Sequence, residues 1–270
     1  IRDRVLTVPP EGTLLPATYP YERGKSRQAV LDSMEQSQRA FLEGLWDKRQ
    51  EGLPINSLEE AIILASIVEK ETAVAEERAL TAAVFMNRLR KGMRLQSDPT
   101  IIYGIVGGKG SLGRSIRRSE IQAKTPYNTY KINGLPPTPI CNPGRDAILA
   151  VLNPAATKAL YFVADGTGGH AFSETLSEHN AAVARWRKIE KRRTKEAAAR
   201  AAIAQTAGPV LAVTGENSAP VRDVSSQASA PSASAALATS ETTDGDTLGA
   251  MVTVGASSSG GMPLPHRKPR

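Results

Sequence analysis

Two glutamates, Glu69 and Glu71, stand at the end of the segment LEEAIILASIVEKET, which spans residues 58–72. A carboxylic acid that is still protonated near neutral pH can donate its proton to a leaving oxygen, which is the role of a general acid. Burial among apolar side chains raises the pKa of a carboxyl group because it disfavours the charged form. The pattern therefore predicts acid/base chemistry by one of these two side chains.

Helical geometry separates the two glutamates. Successive helical residues are rotated by about 100°, so Glu69 and Glu71 point to nearly opposite sides. The arc of Glu71 is shared by Ile63, Leu64, Ile67 and Val68, whereas Glu69 lies over Ala61, Ile62, Ala65 and Ser66. Glu71 thus continues the heavier apolar stripe, which favours it as the acid, with Glu69 as the alternative. The opposing interpretation is that both carboxylates are solvated where the helix emerges.

An α+β fold is expected to position these groups. It would combine a helical core and a small β-hairpin with an extended N-terminal segment and a disordered C-terminal tail. Ser57 and Glu60 form a capping-box pattern ahead of the core helix, and Gly92 is the expected end of the next helix. The predicted helices span about 26–50, 57–72, 76–91, 98–103, a short stretch from 142 and 174–201; a strand is predicted at 127–132, and a hairpin at 159–165 and 170–173.

The C-terminal part of the chain differs in composition. All twelve aromatic residues lie between Tyr19 and Trp186, and the residues beyond are mostly Ala, Ser, Thr, Gly and Pro. Such a segment lacks the apolar groups needed to offset chain entropy. We therefore expect one folded domain at 1–204 and a disordered tail at 205–270.

Charge and cysteine usage exclude several kinds of site. The net charge is +7, and residues 181–200 alone hold eight Lys or Arg against two Glu. Basic charge on one solvated helix, without a recognised motif, does not indicate a nucleic-acid partner. The single cysteine, Cys141, excludes an internal disulfide and a Cys-based metal site. His170 and His179 belong to different elements, so neither a metal nor another cofactor is expected.

Several longer motifs carry a family resemblance. They are EGTLLPATY (11–19), ASIVEKET (65–72), FMNRLRKGMRLQSDPTIIYG (85–104), YNTY (127–130), NGLPPTPICNPG (133–144), YFVADGTGGHAF (161–172) and SEHN (177–180). In these motifs and their order, the chain resembles the MltG/YceG-like endolytic murein transglycosylases over about residues 11–190. The folded domain is therefore identified as a YceG-like catalytic domain.

The resemblance implies a lyase that cuts the β-1,4 bond between MurNAc and GlcNAc inside peptidoglycan strands. The product would carry a 1,6-anhydroMurNAc end, and strand elongation would stop there. One glutamic acid would protonate the leaving oxygen and then help the MurNAc 6-hydroxyl attack its own anomeric carbon, so the scheme needs no nucleophilic carboxylate. Glu71-Thr72 looks like the Glu-Ser pair that lytic transglycosylases often carry at the end of a core helix.

Polar and aromatic residues near these motifs are candidates for substrate binding. Tyrosine rings can stack on sugar faces, and amide groups can bond the N-acetyl group. The candidates are Gln96, Asp98, Tyr127, Asn128, Thr129 and Tyr130. The structural alternatives are N-capping by Asp98 and core packing by half of the YNTY side chains.

The resemblance also implies partners and a location. The partners would be peptidoglycan glycan strands and peptidoglycan synthases, at the periplasmic face of the bacterial inner membrane. Family members carry a single-pass anchor and a LysM-like module, so an anchor is expected upstream of residue 1. The alternative functions are a hydrolytic muramidase that uses Glu71 with Asp98, and a non-catalytic, peptidoglycan-binding scaffold of the divisome.

Overall fold

The computed structural model describes residues 8–206, with side chains as far as residue 202. Within this part of the chain, seven α-helices accompany one antiparallel pair of strands, so the predicted α+β class is confirmed. The helices are α1 (Arg27–Leu42), α2 (Leu58–Glu71), α3 (Arg78–Arg90), α4 (Asp98–Val106), α5 (Arg118–Gln122), α6 (Arg145–Leu152) and α7 (Leu176–Thr206); the strands are β1 (Tyr161–Ala164) and β2 (His170–Ser173). Single turns of 3₁₀ helix lie at Trp46–Lys48 and Ala75–Glu77.

Helix α2 lies in the core and packs against α3, α4 and α6. It begins where the sequence predicts, because the Ser57 hydroxyl accepts a hydrogen bond from the N–H of Glu60 at 3.2 Å. The Glu60 carboxylate accepts a bond from the N–H of Asn56 at 2.7 Å. In a standard capping box the donor would be the N–H of the next residue, the N-cap Ser57. The buried residues of α2 are Ala61, Leu64, Ala65, Ser66, Ile67, Val68 and Glu71.

The β-hairpin joins α7 to the helical core. Its strands pair antiparallel with Phe162 opposite Phe172, so the predicted hairpin is confirmed. Phe162 is fully buried and meets Phe85 of α3 edge to face, with ring centroids 6.0 Å apart. On the other side, α7 packs against both strands. The hairpin therefore links the C-terminal helix to the elements around α2.

Two loops close over α2. The Asn142 side chain accepts hydrogen bonds from the N–H groups of Gly12 and Leu14 at 2.8 and 3.1 Å. Gly12 has a φ of +86°, and a Cβ there would lie 2.8 Å from Pro139 and 2.9 Å from Ile62. Only glycine fits this close approach without strain. The EGT and CNP motifs therefore meet in the fold and hold residues 11–14 against the core.

The predicted strand at 127–132 is wrong, because these residues form turns. The carbonyl of Asn128 accepts hydrogen bonds from the N–H groups of Lys131 at 2.8 Å and Ile132 at 3.0 Å. These bonds curl the chain back on itself. The alternating β-favouring residues suited a strand, but the local hydrogen bonds of Asn128 determine the conformation.

Other boundaries differ more modestly. Helix α1 ends at Leu42, not near residue 50, because Gly44 adopts a φ of 64° and a 3₁₀ turn follows. Residues 8–24 are irregular and include turns, whereas an extended segment was predicted. Helix α7 continues to Thr206. Residues 207–270, nearly all of the predicted tail, lie outside the described residues, and the domain boundary stays a prediction. No helix within 8–206 is both long enough and apolar enough to cross a bilayer.

Candidate active site

Glu71 is the last residue of α2, and only 2% of its surface is exposed. Neither carboxyl oxygen has a hydrogen-bond partner among the described residues. Burial raises the pKa of Glu71 from its ordinary value of 4.5 to about 8; the Ser97 hydroxyl opposes this shift, the Asp98 charge adds to it, and Arg88 opposes it. Glu71 therefore holds a proton at neutral pH, as a general acid requires.

Arg88 of α3 brings a buried positive charge to this site and is fully buried. Its Nε donates to the carbonyl of Leu160 at 2.7 Å, and its Nη1 donates to two further carbonyls and to Oε1 of Gln96. Its Nη2 has no partner among the described residues. Burial lowers the pKa of Arg88 to about 10, which leaves the guanidinium charged at neutral pH. Its position is thus fixed independently of Glu71.

The segment before α4 bends sharply at Gln96. Gln96 has a φ of 55°, in the left-handed region that non-glycine residues rarely adopt. Two bonds hold it: its Oε1 accepts from Arg88 at 2.9 Å, and its N–H donates to the carbonyl of Thr129 at 3.2 Å. The Thr129 hydroxyl accepts from the N–H of Ser97 at 2.8 Å and shares a bond with Thr100 at 2.9 Å. Thr129 therefore holds residues 96–97 and the start of α4 in place.

Asp98 and Tyr130 form a polar pair beside Glu71. Asp98 is the first residue of α4, so the N-cap position belongs to Ser97, not to Asp98. The Tyr130 hydroxyl donates to Oδ1 of Asp98 at 2.6 Å. Burial, together with the neighbouring Asp98 charge, raises the pKa of Tyr130 well above its usual range. The phenol therefore stays protonated and remains a donor.

Tyr127 belongs to a separate aromatic pair. Its ring lies 5.0 Å from that of Tyr103, between centroids, and both residues are half-buried. Its hydroxyl shares an exposed hydrogen bond of 2.7 Å with Thr138. The planes of the two rings are inclined by 59°. Tyrosine rings offer an apolar face and a polar edge, which suits a sugar ring.

The Asn128 side chain is engaged inside the protein. Its Nδ2 lies within donor distance of three carbonyls, those of Glu120, Ile121 and Ala123, at 3.1, 3.0 and 2.6 Å. Its Oδ1 accepts from the N–H of Tyr130 at 3.0 Å. These contacts tie the end of α5 to the turn at 128–130. The geometry favours a structural role for Asn128 over the predicted contact with an N-acetyl group.

Glu69 has a different environment from Glu71. It is half-buried, and its Oε2 accepts a hydrogen bond from the N–H of Gly144 at 3.2 Å. Gly144 is the N-cap residue of α6, where a negative charge is favourable because backbone N–H groups are unpaired. Glu69 thus connects α2 to α6, a structural task that Glu71 does not share.

Sequence reasoning did not assign Ser97 or Arg88 to the site. An arginine inside the buried run TAAVFMNRL was the available signal for Arg88, because a buried charge needs fixed partners. Ser97 gave no comparable signal, since Ser before Asp-Pro is typical of an ordinary helix start. Within residues 8–206, no group of three His, Cys, Asp or Glu residues is arranged to hold a metal ion.

The chain is similar to named bacterial proteins. The chain is 35% identical over 175 residues to the endolytic murein transglycosylase of Bacillus subtilis strain 168, covering 64% of this chain and 47% of that protein. It is 36% identical over 181 residues to the endolytic murein transglycosylase of Streptococcus pneumoniae D39, covering 64% of this chain and 32% of that protein. The chain thus spans about half, or less, of the length of these curated relatives.

A solved structure shows a similar fold. The crystal structure of a YceG-like protein from Listeria monocytogenes is 36% identical and has a TM-score of 0.53, covering 63% of this chain and 54% of that chain. The model of the YceG-like family matches residues 2–185, which include every element from α1 to β2 and the buried acid at the end of α2. The chain belongs to the YceG-like family.

Proposed function

We propose that this chain is the catalytic part of an endolytic peptidoglycan lytic transglycosylase. The observation that carries the proposal is the buried Glu71 carboxyl, whose pKa of about 8 keeps it protonated at neutral pH. Its place at the end of the core helix supports the assignment, as do the names of the relatives that the chain resembles.

The proposed reaction runs through Glu71 alone. The protonated carboxyl donates its proton to the glycosidic oxygen, and the bond between that oxygen and C1 of MurNAc breaks with its electron pair on the oxygen. The resulting carboxylate then accepts the proton of the MurNAc 6-hydroxyl while O6 bonds to C1. Glu71 ends the cycle protonated, and water is not consumed. This outcome differs from glycoside hydrolysis, where a water or a second carboxylate takes part.

The charges around Glu71 suit both halves of this cycle. Arg88 and Asp98 act on Glu71 with opposite signs, so neither form of the acid faces an unbalanced charge. The Asp98–Tyr130 pair supplies fixed dipoles to the oxocarbenium-like intermediate, which carries positive charge. Gln96 and the Tyr103–Tyr127 pair are the proposed contacts to neighbouring sugars.

Product analysis tests the proposal. Purified protein is incubated with peptidoglycan, and the muropeptides are examined by mass spectrometry. Strands ending in 1,6-anhydroMurNAc are expected, because O6 of MurNAc bonds to C1 and no water is added. Cleavage inside strands predicts long soluble fragments early in a time course. Anhydro-disaccharides alone from the first time point would contradict the endolytic part.

The muramidase alternative has one specific observation in its favour. Asp98 acts electrostatically on Glu71, so a second carboxyl group is close to the acid. In that scheme Asp98 would activate water, and the products would carry reducing MurNAc ends. One Asp98 oxygen already accepts a 2.6 Å bond from Tyr130, which favours the supporting role over that of a base.

The location and partners follow from the proposed substrate. Nascent glycan strands lie outside the cytoplasmic membrane, so we propose action at the periplasmic face of the inner membrane, close to peptidoglycan synthases. Fractionation of cells that express the full-length protein tests the location, and cross-linking followed by detection of synthases tests the partnership. Recovery in the cytosolic fraction alone would contradict both.

A further inference from the structure

The hydroxyl of Ser97 does not make the hydrogen bond that a serine at the start of a helix normally makes. Ser97 occupies the N-cap of α4, where a serine oxygen commonly accepts a bond from a helix N–H. Here no side-chain capping bond forms. The residue is fully buried, and its Oγ has no hydrogen-bond partner among the described residues. A buried hydroxyl without a partner is costly, so another task is indicated.

The backbone of Ser97 is fixed from both sides. Its N–H donates to Oγ1 of Thr129 at 2.8 Å, and its carbonyl accepts from Oγ1 of Thr100 at 2.7 Å. The preceding residue, Gln96, is held in a left-handed conformation by Arg88 and by the Thr129 carbonyl. The main chain that carries the Ser97 side chain is therefore held in place by hydrogen bonds within the protein.

Glu71 is a buried neighbour on which this hydroxyl acts. The two residues belong to elements that pack together, α2 and the start of α4, and both are buried with unpartnered side-chain oxygens. Accordingly, the Ser97 hydroxyl is the largest influence that lowers the pKa of Glu71. A bond between the Ser97 hydroxyl and a Glu71 oxygen would break no other hydrogen bond, because neither oxygen has a partner among the described residues.

We propose that Ser97 is a positioning residue whose hydroxyl donates to one Glu71 oxygen and leaves the other to exchange the proton with substrate. The inference rests on the proposed function of Glu71 as acid/base. A hydrogen bond to a carboxylate is stronger than one to the neutral acid. Ser97 therefore stabilises Glu71 most in the half-reaction in which it is charged.

Three other titratable or charged groups act electrostatically on Glu71 or respond to its charge. Arg88 comes from α3, Asp98 from α4, and Tyr130 from the turn at 128–130. The charged residues at the start of α6, Arg145 and Asp146, are exposed. Removal of the Ser97 hydroxyl changes none of these charged groups, so the effect of the hydroxyl on the pKa of Glu71 can be measured by itself.

The test compares Ser97→Ala, Ser97→Thr and a control, Thr81→Val, in the full chain. Thr81 is also fully buried with an unpartnered hydroxyl, but it lies on α3 and does not act on the pKa of Glu71. The pKa of Glu71 is read directly by NMR titration of ¹³C-labelled Glu carboxyls, with the signal assigned by its loss in Glu71→Gln. The pH profile of kcat/KM on peptidoglycan is recorded in parallel.

The expected result is a rise of about one unit or more in the pKa of Glu71 in Ser97→Ala, the size of a hydrogen bond to a charged group. The alkaline limb of kcat/KM should move with it, while kcat falls more than KM changes. Ser97→Thr keeps the hydroxyl and should restore both values. Thr81→Val should leave both unchanged, and thermal unfolding should show that every variant folds.

Two outcomes would overturn the inference. One is an unshifted Glu71 signal in folded Ser97→Ala; the other is an equal shift in Thr81→Val. Neither outcome touches the proposed function, because that fails separately if Glu71→Gln remains active. The NMR titration needs no turnover, so the inference about Ser97 is decided even where activity is low.

Discussion

Glu69 and Glu71 are two residues apart on α2 and occupy opposite environments. The Glu69 carboxylate accepts a hydrogen bond from the N–H of Gly144 at 3.2 Å, at the start of α6. The Glu71 carboxyl is 2% exposed and has no hydrogen-bond partner among the described residues. Glu69 therefore joins two helices, whereas Glu71 is a buried acid whose pKa is raised by burial.

Replacing these two residues separates their roles. Glu71→Gln keeps the shape of the side chain but removes the titrating proton, so turnover on peptidoglycan should fall by at least about 10²–10⁴-fold. Glu69→Gln can still accept the bond from Gly144 and should reduce turnover far less. Both variants are measured in one assay of released glycan, with circular dichroism to confirm folding.

The opposite ranking would refute the assignment of Glu71. Should Glu69→Gln abolish cleavage while Glu71→Gln retains it, the stripe on α2 identifies the wrong acid. If neither change matters, Asp98 becomes the first candidate.

The stability of the protein should depend on pH through Glu71. Its pKa is raised on folding from 4.5 to about 8, so the folded state binds the proton more tightly than the unfolded state. The stabilisation is complete below pH 4.5 and is lost as pH rises to about 8. Each unit of pKa difference corresponds to about 1.4 kcal/mol.

Urea unfolding at several pH values checks this dependence. Between pH 5 and 8 the free energy of unfolding of the wild type should fall relative to that of Glu71→Gln, because glutamine has no proton to lose in this range. Glu69→Gln serves as the control and should follow the wild type. Parallel curves for wild type and Glu71→Gln would show that Glu71 titrates normally.

Neutralising Asp98 should move the activity profile to lower pH. The Asp98 charge raises the pKa of Glu71, so Asp98→Asn should bring the alkaline limb of kcat/KM to lower pH. Asp146→Asn is the matched control, because it removes one negative charge from α6 where the side chain is 77% exposed. A profile that does not move in Asp98→Asn would mean that Asp98 stays neutral beside Glu71.

Asn128 should prove to be a structural residue. Asn128→Leu loses contacts to three carbonyls and one N–H, and should reduce the free energy of unfolding by about 1–3 kcal/mol or more, since buried groups are left unsatisfied. Asn133→Leu, at an exposed position nearby, should have little effect. Chemical denaturation measures both. Unchanged stability with weaker binding of glycan would instead support the predicted substrate contact.

Local signals in the sequence predicted most of the elements. The Ser57 cap, the apolar stripe of α2 and the hairpin at 161–173 depend on neighbours along the chain, and all three appear in the structure. The turn at 127–132 was missed because the amide of Asn128 reaches backward to carbonyls at residues 120–123. Pattern alone cannot show where a polar side chain finds its partners.

The arrangement of the site depends on distant parts of the chain. Arg88 bonds Leu160, 72 residues away, and the N–H of Ser97 bonds Thr129, 32 residues away. The candidate acid was readable from α2, whereas two of the three groups that shift its pKa, Arg88 and Ser97, were not. Gln96 and Asp98 were predicted from the same motif, but the roles of Arg88 and Ser97 appear only when the elements have packed.

Cys141, the sole cysteine of the chain, makes the protein convenient for site-specific labelling. Its thiol lies 3.3 Å from the carbonyl of Ser66, and burial raises its pKa to about 12. Maleimides react with the thiolate, so the native thiol stays inert at neutral pH. A second cysteine in place of the exposed Ser177 on α7 would then take a single fluorophore, and the natural sequence of α2 need not be altered for fluorescence measurements of glycan binding.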